Sequence, residues 1–319
     1  MDLKRWTGFL AAMLLSVPAL AAEPLPVEAG KAWTHRHSGI VVPATLAGTP
    51  RSNAVAFAAD ELDVGLSFDT ERSRESLTIY VYRNTNGSVP VWFAQSQWSL
   101  ENRDIFKGLT LAMTPSAFTP PGQRVASGLI AVYDLKGAAG YKSAGVALFP
   151  AGDWYVKVRA TSTARSPADA ASWINGVIAQ LRIPASYGEP AAPVTACPSS
   201  LAFGTGVAGD VKATVKLGPG VTAPAARIAG KAWCSDAALG NNRRVYRPVG
   251  TDDRYLIAAG DNGNAFAVRS EGAYYSINYV AAGEVTALAP RDRLPKPAQI
   301  FELVDANRIG QSFVTWPPR

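Results

Sequence analysis

The chain has 319 residues, 48% of them apolar, and a formal net charge of +6. That composition suits a globular protein with length for two domains of roughly 150 residues each, and it excludes disorder over the whole chain. The basic excess is too small and too scattered to mark a nucleic-acid binder, and two histidines and two cysteines leave most catalytic and metal-centred schemes short of residues.

Residues 1–22 read as a secretory signal peptide. Lys4 and Arg5 give a positive start, residues 8–20 are mostly apolar, and Ala19-Leu20-Ala21 supplies a small-x-small cleavage pattern. The apolar stretch is shorter than the about 20 residues that span a bilayer, and no later segment is long and apolar enough to do so. No cysteine at the cleavage site offers a lipid attachment point. The expectation is an exported chain with no transmembrane segment after cleavage, periplasmic, with secretion to the medium as the alternative.

His35 and His37 follow in Thr34-His35-Arg36-His37-Ser38. In a strand this spacing puts both rings on one face. With a carboxylate from Asp60, Glu61 or Asp63 they could form part of a hydrolytic or metal site, although catalytic zinc needs three protein ligands. The plainer reading is two polar residues with Arg36 opposite, and no metal or other cofactor is expected.

Strands are expected at 64–68, 77–83, 129–133 and 146–149. Asn84 to Val89 reads as a turn, and its Asn86-Gly87-Ser88 also fits a glycosylation sequon. A helix is expected from Pro90 to about Arg103, with Val91, Ala94 and Trp98 on one face. No Gly-x-Ser-x-Gly elbow occurs; Ser143, in Gly140-Tyr141-Lys142-Ser143-Ala144-Gly145, misses its spacing, and a Ser–Lys pair with Lys142 is the alternative reading. Trp154, Val156, Val158 and Ala160 alternate with Tyr155, Lys157, Arg159 and Thr161, the period of a half-buried strand. Ser166 then caps a helix with Pro167 at its first position. Ala170, Trp173, Ile174, Val177, Ile178 and Leu181 form its apolar stripe, wide enough to cover a sheet, with Trp173 as a core residue.

These elements describe residues 23–183 as a domain of the α+β class, an antiparallel sheet with packed helices. Residues 184–196, with three prolines among small residues, form a Pro/Ala-rich, extended, semi-rigid linker. Residues 197–319 read as a small all-β domain, a barrel or sandwich, stapled by a disulfide between Cys197 and Cys234. Gly204, Gly206 and Gly209 match Gly-x-Gly-x-x-Gly, but residues 211–217 alternate as a strand where a dinucleotide site needs a helix. Arg243, Arg244 and Arg247 form the densest basic cluster, with Arg291 and Arg293 a smaller one; these are solvated loop arginines or a docking patch for an envelope polyanion. Asp261-Asn262-Gly263-Asn264 signals a hairpin between strands at 255–259 and 265–268. Further strands are expected at 274–280, 285–288 and 311–316, and Tyr274, Tyr275 and Tyr279 cannot all face one way. The pentapeptide Ala29-Gly30-Lys31-Ala32-Trp33 recurs at 229–233, as chance in an Ala- and Gly-rich chain.

Leu77-Thr78-Ile79-Tyr80-Val81-Tyr82, Asp153-Trp154-Tyr155-Val156-Lys157-Val158-Arg159 and the helix ending Leu181-Arg182-Ile183-Pro184 resemble a family of uncharacterised exported bacterial proteins. The strand-then-terminal-helix order also resembles the PsbP-type α/β sandwich over residues 31–184. The resemblance rests on core-facing residues and implies a non-enzymatic, accessory role; residues 197–319 carry none. The functional expectation is a non-catalytic envelope binding or accessory protein. It would engage an envelope polyanion, a small ligand or a protein partner, and no nucleic acid. The alternative is a hydrolase using His35 and His37 with a carboxylate.

Overall fold

The computed structural model describes residues 22–70, 74–204, 227, 228, 230–240 and 242–317. The expected signal peptide up to residue 21, Gly206, Gly209, the expected strand at 211–217 and Ala229 of the repeated pentapeptide lie outside them.

Strand β1 (Glu23–Pro24) opens the chain. Two short ribbons follow, β2 (Trp33–Thr34) with β3 (Val41–Val42) and β4 (Thr45–Leu46) with β5 (Thr49–Pro50). Then come β6 (Asn53–Ala58), β7 (Asp63–Thr70), β8 (Glu75–Arg83), helix α1 (Val89–Glu101), β9 (Thr110–Leu111), β10 (Ser116–Phe118), β11 (Gly128–Asp134), β12 (Ser143–Ala151), β13 (Trp154–Ser162) and helix α2 (Pro167–Gln180). They build a nine-stranded antiparallel sheet in the order β1-β6-β7-β8-β13-β12-β11-β10, with β9 also pairing β11.

The second half adds β14 (Thr195–Ala196), β15 (Trp233–Gly240), β16 (Arg243–Pro248), β17 (Arg254–Ala259), β18 (Ala265–Ser270), β19 (Tyr275–Val280), β20 (Glu284–Arg291), helix α3 (Pro297–Asp305) and β21 (Ile309–Val314). They form one eight-stranded meander from β14 to β21. Only β14 runs parallel to its neighbour, placing Thr195 opposite Cys234 beside the Cys197–Cys234 disulfide.

Twenty-one strands against three α-helices correct the expected α+β class: among the described residues the chain is mostly β. Both expected helices form, but two-residue strands such as β2 to β5 and β9 carry no readable period, so the sheet content was underestimated. The second half is not all-β either, because α3 packs Ile300 and Leu303 against its sheet. The nine residues of α3 carry helical spacing at Ile300, Leu303 and Val304 after Pro297, which suits a first helical position, but the run is short. Among the described residues the outer strands β14 and β21 lie at opposite edges of this sheet and do not pair, so the described strands form an open sheet.

Three apolar clusters order the layers. One face of the first sheet packs Val64, Leu66, Ile79, Val81, Val156 and Val158 against the α2 stripe and against Trp33, Ile40 and Val42. Ser166 caps α2 as expected, its hydroxyl oxygen accepting from Asp169 N at 3.2 Å. The opposite face packs Tyr82, Leu129, Tyr133, Val146 and Tyr155 against α1 and against Trp233, Tyr246, Leu256 and Ala267 of the second sheet, so one core is shared by both sheets. Far from presenting one apolar face, α1 lies between the sheets with Val91, Trp92, Phe93, Gln95 and Ser96 all buried. Its buried Gln95 donates to Asn242 O at 2.7 Å and accepts from Tyr246 Oη at 3.0 Å. The third cluster joins the outer face of the second sheet to α3. Each fully buried large apolar side chain in these layers contributes about 1.5–3 kcal/mol.

Residues 184–196 are extended as expected, and they are tied down. Ser186 N donates to Gly122 O at 3.3 Å and Ala191 N to Ala126 O at 2.9 Å. Ala191 and Val194 pack on the shared core.

Candidate functional site at the junction of the sheets

The histidine segment is a turn, not a strand, so its two rings meet edge to face at 5.6 Å instead of lining one strand face. His35 is fully buried against Trp154, with ring centroids 4.3 Å apart. Its Nε2 lies 3.0 Å from the Glu61 carbonyl, which can only accept, so Nε2 is assigned the proton. Nδ1 then accepts from the Ser38 hydroxyl at 2.7 Å. Burial, reinforced by His37 and Arg36, lowers the His35 pKa to about 4. Neutral, enclosed and bonded at both nitrogens, His35 is not placed to take a substrate proton.

His37 is more open and donates from Nε2 to the Asp60 carbonyl at 2.9 Å. The fold does bring two of the expected carboxylates here. Asp60 pairs with Arg36 and accepts from the Trp316 indole N–H, and Glu61 lies 3.4 Å from Arg36 Nε. The Trp316 N–H chiefly, helped by Arg36 and His37, holds the Asp60 carboxyl below its usual range. Asp60 and Glu61 both sit in the left-handed region, at φ 57° and 59°. Such residues cost about 1–3 kcal/mol each and persist where surrounding bonds over-determine them, as Arg36, His37 and Trp316 do for Asp60. Among the described residues no group of three or more His, Cys, Asp and Glu side chains is placed to hold a metal ion.

The arginine cluster is not on a loop. Arg243, Arg244 and Arg247 lie on β16, whose pleat sends them to opposite faces. Arg243 stacks on Phe301 at 4.3 Å and Arg244 on Trp98 at 5.0 Å. Arg247 is buried, bonded to Ser199 O, Thr251 O and Asp236. They do not form one docking patch. Ser143 is likewise buried and donates to Arg165 O at 2.9 Å. The Asn86 side chain is fully buried and accepts from Gly87 N and Ile228 N at 2.8 and 2.9 Å, as a turn residue with no room for a glycan.

A cluster of strongly perturbed charged groups occurs where the β17–β18 hairpin meets the first sheet. Gly263 takes φ 91° in the turn, as the Asn-Gly signal requires, and its neighbour Asp261 reaches β13. Lys157, 2% exposed, donates to the Asp261 carbonyl at 2.7 Å and forms an ion pair with its Oδ2 at 3.0 Å, and Arg159 forms an ion pair with the same Oδ2 at 3.0 Å. Against its own burial, Lys157 and Arg159 hold the Asp261 carboxyl down at about 2. Burial drives Lys157 the other way from its usual value, downward. Asp63, also buried, accepts from Asn262 Nδ2 at 2.9 Å, and burial raises its pKa to about 7. Lys157 Nζ further lies 4.6 Å from the Tyr80 ring and 5.4 Å from that of Tyr82.

Beside this cluster the sheet face opens to solvent. The register shift between Ala56 and Ala58 turns Phe57 out, 36% exposed, with its ring 6.2 Å from Tyr80. Gly65 makes room for both, since a Cβ there would come within 2.9 Å of Phe57 and 3.3 Å of Tyr80. Arg103, two residues beyond the end of α1, is exposed and shares the field of Arg159, Tyr80 and Asp261. Sequence reasoning did not single out Lys157, Arg159, Tyr80 or Arg103. The alternation at 154–161 marks Lys157 and Arg159 as facing away from the α2 core, but nothing local says that a distant hairpin covers them.

No family model, curated protein or solved structure matches the chain.

Proposed function

We propose that the chain is an exported, non-catalytic protein of the cell envelope that binds an anionic partner. One observation carries this reading: at the junction of the sheets an exposed ring, Phe57, and an exposed cation, Arg103, flank a buried cluster in which Lys157 and Arg159 share one carboxylate oxygen. Exposed aromatic and arginine side chains side by side suit recognition. The structural duties of His35 argue against its use as a hydrolytic base. The disulfide fits an oxidising compartment outside the cytoplasm, and no helix among the described residues is long and apolar enough to cross a membrane. Within that, a periplasmic location is our reading.

Native mass spectrometry of the mature chain, purified gently from its own envelope, tests this. Mass beyond the disulfide-bonded polypeptide, released by salt, is the expected result. A bare chain mass with no co-purifying partner would count against the reading.

A further inference from the structure

We propose that the corner formed by Phe57, Tyr80, Arg103 and Arg159 binds an acidic sugar, its phosphate or carboxylate group held by the two guanidinium groups and its ring resting on Phe57. This deepens the binding reading above and rests on it.

The charge balance favours an anion. Three cations, Lys157, Arg159 and Arg103, surround Asp261, whose Oδ2 is already shared by the first two. Burial raises Asp63, the other carboxyl of the cluster, to about 7, so at neutral pH it adds only part of a negative charge. Glu101 accepts from the Tyr133 hydroxyl at 2.8 Å and makes no ion pair with Arg103. Among the described residues the Arg103 guanidinium has no carboxylate partner, only the Phe106 ring at 5.9 Å. Arg159 spends Nη2 on Asp261 and on Ser96 O at 3.3 Å, which fixes the plane of its fork. A guanidinium held this way is preorganised for an oxyanion, and charge-assisted bonds of this type are about twice as strong as neutral ones.

The floor argues for a ring-shaped carrier. Tyr80 reaches from the Phe57 ring toward the arginines, whose charges act on its hydroxyl. An anionic group at Arg103 and Arg159 therefore places its attached ring toward Phe57. Thr78 and Ser67, half-buried on the same face with hydroxyl oxygens 3.5 Å apart, offer hydrogen bonds to sugar hydroxyls.

The test is a titration of the isotope-labelled mature chain, followed by backbone amide shifts, with glucuronate, glucose 6-phosphate and inorganic phosphate as probes and glucose as the neutral control. Polygalacturonate distinguishes a polymeric source from a free sugar. Saturable shifts confined to residues around Phe57, Tyr80 and Arg103, with the acidic sugars and not glucose, are expected. Arg103→Gln and Phe57→Ser alter exposed side chains, and each should weaken binding about tenfold. Binding by polygalacturonate alone would assign the site to a polymer, and binding by the monomers to a free sugar. Inorganic phosphate binding as tightly as glucose 6-phosphate would overturn the sugar assignment. Absence of saturable shifts at these residues in the millimolar range, or binding unaffected by both substitutions, would overturn the site. If native mass spectrometry shows a retained partner while this corner stays silent, the site fails and the binding reading survives; if both are blank, both fail.

Discussion

Replacing His35 by Gln and Asp63 by Asn, one at a time, should uncover two pH dependences that offset each other in the native chain. His35 is enclosed by Trp33 and Trp154, with Arg36 and His37 beside it, and its pKa falls from 6.5 to about 4. Between those values the unfolded chain holds the proton more readily. The His35 contribution is therefore complete above pH 6.5 and is lost as pH falls through about 4, a change of about 3 kcal/mol. Asp63 works in the opposite sense. Facing Lys157, Asp261 and Asn262, it has its pKa raised from 3.8 to about 7, so its contribution is complete below 3.8 and is lost as pH rises through about 7, a change of about 4 kcal/mol.

Urea unfolding of the disulfide-intact protein, followed by circular dichroism at intervals from pH 4 to pH 8, reads both. Wild type should be nearly flat across this window. His35→Gln, left with the Asp63 term, should lose stability as pH rises. Asp63→Asn, which keeps an acceptor for Asn262, should gain stability as pH rises to about 6.5 and then level off. The depressed Asp261, near 2, titrates below the window. Parallel profiles for all three proteins, or slopes of the opposite sign, would refute the environments assigned to His35 and Asp63.

Asp261→Asn should destabilise the chain by about 3 kcal/mol, because it leaves Lys157 buried without a counter-charge, while the Asp261 carbonyl and two tyrosine rings still shelter it. A midpoint change worth less than about 0.5 kcal/mol in the same urea assay would show that the cluster is not coupled to folding. Cys197→Ser should cost about 4 kcal/mol by the chain-entropy relation for a sequence separation of 37, and reduction of the wild type should reproduce that loss in thermal unfolding. Trp316→Phe keeps ring packing on His37 and Trp154 but removes the N–H to Asp60. A loss of about 1–2 kcal/mol is expected, and an unchanged melting temperature would mean that Asp60 gains nothing from the indole.

Much of the local structure was legible in the chain. The alternation from Trp154, the Ser166–Pro167 start of α2 and the Asp261–Asn264 turn all appear where local chemistry puts them, because capping, period and turn geometry depend on neighbours in sequence. The pairing of Cys197 with Cys234 followed from there being only two cysteines. What the sequence could not determine was which polar faces are covered. Lys157 and Arg159 look like the wet side of a half-buried strand until a hairpin about a hundred residues later closes over them. His35 looks like a base until Glu61 and Ser38 consume both its nitrogens. Arg243, Arg244 and Arg247 look like one patch until the β16 pleat divides them between two faces. Burial of a polar group depends on contacts between segments far apart in the chain, and in this protein those contacts, made where the two sheets share a core, decided the candidate site.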